Sequence, residues 1–191
     1  MSKKKTIVID AGHGGVDPGA VNGELEIKES DVALQYGLTL YWYLAKNYTL
    51  KMIRERDVFV TLADRVKMAN AFKADLFVSL HLNSAENPKA RGFEIWTSKG
   101  QTESDRAATE VFYRIRSAFP ALAPREDWSD GDPDKEAGYY VLRKTRMPAI
   151  LIELGFVCNN IEAKWLTSPD VMNKYVEAIA MGLEQWAEGG A

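Results

Sequence analysis

The strongest constraint on this chain is the grouping of its apolar residues. Short runs with no alternation between polar and apolar positions are separated by stretches with helical spacing. Lys5 to Asp10, Leu76 to Leu80 and Ala149 to Leu154 are such runs. A strand buried on one face only would alternate with a period of two, so strands that are apolar throughout need cover on both sides. Between them, Val32, Ala33, Leu34, Leu38, Trp42 and Leu44 predict a helix from about Ser30 to Lys46, which Asn47 can end. Thr61-Leu62-Ala63-Asp64 reads as a capping box opening a helix to about Phe72. Glu103 to Phe119 reads as an amphipathic helix, and Ser168-Pro169 as the N-cap and first-turn proline of a closing helix to about Glu188. Leu50 to Ile53, Gly92 to Thr97 and Tyr139 to Leu142 complete the expected strands. The alternation predicts an α/β fold: one domain over residues 1–188, with a mainly parallel, twisted sheet flanked by helices on both faces. Residues 189–191 read as a tail or the start of a linker.

A chain of 191 residues can bury a substantial core without disulfides. Its net charge of −3 argues against a duplex-binding protein, so nucleic acid is not an expected partner. Met1-Ser2-Lys3-Lys4-Lys5 has the charge of a signal-peptide start, but only Thr6-Ile7-Val8-Ile9 follows before Asp10, too short for its apolar region. No secretion signal is expected. No apolar stretch approaches the roughly eighteen residues needed to cross a bilayer, so membrane insertion is not expected either. A single cysteine, Cys158, excludes an intrachain disulfide and a thiolate-rich metal site. Metal chemistry would have to use histidine and carboxylates.

The chain has only two histidines, and each falls at the end of a predicted strand: His13 within Gly12-His13-Gly14-Gly15, and His81 within Leu80-His81-Leu82-Asn83-Ser84. Ligand sites of parallel sheets lie outside the carboxyl ends of the strands, where Glu153 also falls. Two imidazoles and a carboxylate suit zinc and leave a position open for water. Asp17, Glu24, Glu26, Glu29 and Asp31 are all candidates for the carboxylate, and spacing does not choose among them. Glu153 stands out because it lies inside the apolar run Ala149 to Leu154, where an isolated carboxylate must be paired, protonated or placed near a metal. Asp10 is read either as orienting a ligand imidazole or as a plain structural residue at a strand end. Arg54, Arg56 and Arg65 read as solvated or ion-paired faces, and Trp128 and Tyr139 as aromatics flanking the polar loop Pro120 to Gly138. That loop is expected to border a substrate groove.

Four segments in order carry a family resemblance: Ile9-Asp10-Ala11-Gly12-His13-Gly14-Gly15 with Asp17-Pro18-Gly19-Ala20, Lys28-Glu29-Ser30-Asp31, Ser79-Leu80-His81-Leu82-Asn83-Ser84, and Pro148 to Phe156. Together the chain resembles the zinc-dependent N-acetylmuramoyl-L-alanine amidases of bacterial cell-wall hydrolases and phage endolysins, with Cys158 where that family often has serine. The resemblance implies that His13, Glu29 and His81 bind Zn2+ and that Glu153 is the catalytic carboxylate. It implies hydrolysis of the amide between N-acetylmuramic acid and L-alanine by zinc-activated water, with peptidoglycan as the partner of a monomer acting on the cell wall. An endolysin without a signal would stay in the cytoplasm until release. Another zinc-dependent wall hydrolase, a peptidase or a deacetylase, would look similar, whereas a non-catalytic wall-binding module would lack these residues.

Overall fold

The structure is a computed structural model and describes residues 4–189. The tail expected at 189–191 lies, from Gly190 onward, outside the described residues, as does the start of the basic N-terminus.

The chain runs β1 (Thr6–Ala11), β2 (Val21–Asn22), β3 (Ile27–Lys28), α1 (Glu29–Leu44), β4 (Thr49–Met52), α2 (Leu62–Phe72), β5 (Leu76–Asn83) and β6 (Glu94–Thr97). It continues through α3 (Glu103–Ala118), β7 (Lys135–Glu136), α4 (Tyr140–Lys144), β8 (Ala149–Phe156), α5 (Asn160–Leu166) and α6 (Pro169–Glu188). Six strands form one sheet in the order β4-β1-β5-β8-β6-β7, while β2 and β3 pair as a separate hairpin. The first four are mutually parallel; β6 runs antiparallel to β8 and parallel to β7. The expected α/β fold with a mainly parallel sheet is therefore what the chain adopts.

The missing alternation has a simple origin. Ile7, Ile9, Val78, Leu80, Ile150 and Ile152 pack into one core with α1, α3, α5 and α6. Val8, Phe77, Ala149 and Leu151, the intervening positions, pack into a second core with Val66 and Ala69 of α2 and Val141 and Leu142 of α4. Side chains alternate between the faces as in any strand, but both faces are dry.

The short strands β2, β3 and β7 were not expected, and two helices also differ from expectation. Tyr139 to Leu142, read as a strand, belongs instead to the short helix α4, which turns Val141 and Leu142 into the second core while Tyr140 and Arg143 face solvent. A four-residue apolar run carries no period long enough to separate the two structures, and packing against α2 decided it. Helix α5 was not expected; Asn159 caps it by accepting the backbone N–H groups of Ile161 and Glu162. Thr61 does cap α2, accepting from the Asp64 N–H, but the Asp64 carboxylate returns to the threonine hydroxyl rather than to its backbone. Among the described residues no helix is long and apolar enough to cross a membrane.

The long helices α3 and α6 cross where Gly182 meets Val111, and a Cβ at Gly182 would lie 2.5 Å from the Val111 Cα and 2.8 Å from its N. Helix propensity alone favours alanine over glycine by about 1 kcal/mol. Here the new methyl meets backbone, so the helices must separate, and overpacking of that kind costs about 1–3 kcal/mol. Gly182→Ala is accordingly expected to lower the urea midpoint and Tm; a variant at least as stable as the parent would show that the crossing tolerates a wider spacing.

Candidate metal centre

Strand β1 delivers the chain into a turn built from unusual backbone. His13 has φ 57°, a left-handed conformation that costs a non-glycine residue energy and is held only by its surroundings. Those surroundings are two buried guanidinium groups. Arg54, just after β4, donates to the carbonyl oxygens of Ala11 (2.8 Å), Gly12 (2.7 Å) and Ser30 (2.7 Å). Arg65, on α2, donates to the carbonyl oxygens of Ala11 (2.8 Å) and His13 (2.7 Å) and pairs with the Asp10 carboxylate. Both arginines are 3% exposed. Of the two expectations, solvated or ion-paired, Arg65 takes the second through Asp10, and neither arginine is solvated: a glycine-rich turn leaves inward-facing carbonyls that only donors from neighbouring elements can satisfy. Arg56 is exposed, as read. Asp10 also accepts from the Ser79 hydroxyl at 2.8 Å and touches neither imidazole, so of its two readings the structural one holds.

Gly12 has to be glycine for a different reason, since a Cβ there would lie 2.3 Å from the His81 ring. Backbone and imidazole are stacked closely enough to set the ring's position. His81 lies two residues before the end of the central strand β5, and its register partner on β8 is Glu153, which in turn faces Glu94 on β6. Directly paired residues project to the same face, so His81, Glu153 and Glu94 form a polar row beside the second core.

Glu29 is the first residue of α1 and is 4% exposed. Its carboxylate is fixed by the Ala20 N–H (2.9 Å) and the Leu82 N–H (3.1 Å). Its Oε1 then stands 3.1 Å from His13 Nε2 and 2.9 Å from His81 Nδ1. The two rings meet edge to face with centroids 5.0 Å apart. Ligating atoms of His13, Glu29 and His81 all lie within 4.8 Å of one another. Of the five carboxylates open on spacing, Glu29 is the one that joins both imidazoles. Asp17 has a different place: its Oδ2 is 2.9 Å from His13 Nδ1, which fixes the tautomer that leaves Nε2 free to face Glu29. Sequence reasoning weighed Asp17 as a ligand but not as the partner of a ligand, although its i+4 spacing from His13 was visible.

Charge at this cluster is strongly polarised. Burial alone would lower the pKa of His13, but the hydrogen bonds and negative charges of Glu29 and Asp17 outweigh it and carry it up to about 9. Burial would raise the pKa of Glu29, and its contacts to both histidines instead hold it far below the ordinary range. The cluster favours a bound positive charge, and its donors are two nitrogens and one carboxylate, the set that suits zinc with a further position open. The residues present therefore fit the expected ion.

Glu153 lies beside this cluster with Oε2 buried and without a hydrogen-bond partner. Burial pushes its carboxyl up to about 7, with Glu29 and Glu94 adding to the shift and the charges of His81 and His13 opposing it. His13, His81 and Glu153 share a cleft of about 370 Å³ with apolar and aromatic walls, Phe59, Val60 and Leu62 on one side and Tyr139, Tyr140 and Val141 on the other. A shallower depression of about 800 Å³ between Val21–Glu24 and Cys158–Ile161 contains neither histidine nor Glu153. The loop expected to border the groove, Pro120 to Gly138, does not itself line the cleft; the residues directly after it do. Tyr139 packs edge-on against Trp96, and Trp128 is exposed away from that wall.

Known proteins share this architecture over nearly the whole chain. The family model described as N-acetylmuramoyl-L-alanine amidase matches residues 7–185. An endolysin of Bacillus phage SPP1 is 35% identical over 95% of this chain, which spans 65% of that protein's length. A sporulation-specific N-acetylmuramoyl-L-alanine amidase of Bacillus subtilis is 34% identical over 94% of this chain and 67% of its own. The crystal structure of an N-acetylmuramoyl-L-alanine amidase from Clostridium difficile superimposes with a TM-score of 0.92 at 31% identity, covering 100% of both chains. With residues 7–185 matched by the family model and its sheet and helices reproduced in a solved member, the chain belongs to the N-acetylmuramoyl-L-alanine amidase family.

Proposed function

We propose that residues 1–188 form a catalytic domain that hydrolyses the amide bond between N-acetylmuramic acid and the L-alanine of the peptidoglycan stem, with Zn2+ held by His13, Glu29 and His81 and with Glu153 as the catalytic carboxylate. The observation that carries this reading is the convergence of two imidazoles on the buried carboxylate of Glu29, with both imidazoles opening into one cleft beside Glu153, whose Oε2 is buried and unpartnered. When bound, zinc supplies a Lewis acid for the scissile carbonyl and brings the pKa of water towards about 7.

The protein's own residues do the rest. Asp17 holds His13 in one tautomer, and the backbone N–H groups of Ala20 and Leu82 hold Glu29 in one rotamer, so the binding groups are oriented before an ion arrives. Glu153 takes a proton from the attacking water on its carboxylate and returns it to the departing alanine nitrogen. Burial favours both halves of that task, because a carboxyl raised to about 7 is populated in both protonation states near neutral pH. The aromatic wall of Tyr139 and Tyr140 and the opposing Phe59 give the cleft apolar flanks for a sugar–peptide junction.

Three measurements test this. Digestion of peptidoglycan followed by mass spectrometry is expected to give stem peptides with a free L-alanine amino group and an intact glycan. Cuts inside the stem or released acetate would replace the reading with a peptidase or a deacetylase. Glu153→Gln keeps the shape of the side chain and removes the base. It is expected to fold, retain zinc and lose about 10² to 10⁴ in kcat, whereas near-normal turnover in a metal-loaded preparation would end the catalytic assignment. His81→Ala removes one donor of three, and metal analysis is expected to find it largely free of zinc; stoichiometric zinc in that variant would move the ion elsewhere.

A further inference from the structure

A second group of acids lies outside the cleft, where the end of β6, the start of α3 and the strand β7 meet. We propose that Asp105, Asp132 and Asp134 form a Ca2+ site that ties the segment before β7 to the first turn of α3.

The three carboxylates share one pattern. Each uses Oδ2 to fix itself: Asp105 accepts the Thr102 backbone N–H in the cap of α3, Asp132 accepts from the Gln101 side-chain amide at 3.0 Å, and Asp134 accepts from the Thr97 hydroxyl at 2.7 Å. Each leaves Oδ1 buried with no hydrogen-bond partner. Asp105 and Asp134 are 4% and 2% exposed, and one oxygen from each of the three residues lies within 4.8 Å of the others. Buried polar atoms are nearly always satisfied, so three unsatisfied acceptors on residues gathered this closely indicate a missing positive partner. Among the described residues no lysine or arginine is ion-paired with any of the three. The start of α3 favours negative charge, yet its N–H groups reach only the Oδ2 of Asp105.

Donor chemistry decides which cation. All three donors are carboxylate oxygens, without the imidazole or thiolate that draws zinc. They come from a helix and an irregular loop, a flexible arrangement that suits the variable coordination of Ca2+ better than the strict octahedron of Mg2+. The competing occupant is a proton. Burial pushes the Asp134 carboxyl up to about 8, and the neighbouring carboxylates of Asp132 and Asp105 add to the shift, so without an ion the acids can share a hydrogen.

The position gives the site a consequence. After Asp134 the chain forms β7, the Ala137 N–H bonds to the Thr97 carbonyl, and Tyr139 then enters the cleft wall. An ion at the three acids therefore anchors the approach to that wall without touching His13, Glu29, His81 or Glu153.

The test uses the full chain, freed of divalent ions with EDTA and given one equivalent of zinc. Calorimetric titration with CaCl2 is expected to show a single further ion per chain, and Tm is expected to rise by roughly 5 to 10 °C near a hundredfold excess over Kd. MgCl2 is expected to bind more weakly. Asp134→Asn is expected to weaken Ca2+ binding at least tenfold while leaving zinc content unchanged. If that variant does not fold, the less buried Asp132→Asn asks the same question. No heat and no change in Tm at about 10 mM Ca2+, above the range of weak extracellular sites, would overturn the proposal in favour of a proton-sharing acid cluster. An undiminished calcium response in Asp132→Asn would overturn it as well.

Discussion

The site depends on the satisfaction of three backbone carbonyls. After β1 the turn through Ala11, Gly12 and His13 points its oxygens inward, and a buried carbonyl without a donor costs about 1–3 kcal/mol. Arg54 and Arg65 supply the donors, and only a guanidinium offers enough N–H groups in a fixed fork to reach several of these oxygens from one side chain. The arginines come from the segment after the edge strand β4 and from α2, so the left-handed turn at His13 is held by parts of the fold that carry no ligand. Asp10 neutralises one of the two buried charges through Arg65. The placement of His13 is thereby inherited from the sheet's edge and its covering helix.

The two acid clusters solve opposite problems with the same residue type. Around Glu29, imidazoles supply the balancing charge and the donor set is mixed; around Asp134, oxygen faces oxygen and nothing from the protein balances it. Each cluster is held by donors from the protein: backbone N–H groups of Ala20 and Leu82 fix both oxygens of Glu29, whereas the aspartates are each fixed through Oδ2 alone. Nitrogen donors at one and their absence at the other would keep two different metals apart within a small domain.

Much of this was legible in the residues. The doubly buried strands could be read from their unbroken apolar runs, and His13, His81 and Glu153 stood out as polar side chains at or towards the carboxyl ends of those runs. Glu29 could not be separated from its acidic neighbours by spacing, because its selection depends on where α1 starts relative to β5, a tertiary relation. The burial of Arg54 and Arg65 is not legible in the sequence for a related reason: a buried arginine and a surface arginine look alike until the carbonyls it serves are located. Helix α4 was taken for a strand because four apolar residues hold no period. The aspartate cluster was hidden in a polar loop, where Asp132 and Asp134 meet Asp105 across a gap of more than two dozen residues in sequence.

The strand order carries a consequence for synthesis. Strand β8 lies between β5 and β6, although it follows both in the chain and follows α3 and the long loop as well. Until it emerges, β5 and β6 have no common neighbour, both cores lack their central strand, and Glu153 does not exist. Parallel pairings between distant segments form late, because the entropy of closing the intervening chain must be overcome first. A chain ending before residue 149 has the two histidines and Glu29, carried by the turn after β1, α1 and β5, but lacks Glu153 and the strand that completes both cores. The polar row that brings His81, Glu153 and Glu94 together is therefore complete only once the segment from residue 149 has paired on both of its sides.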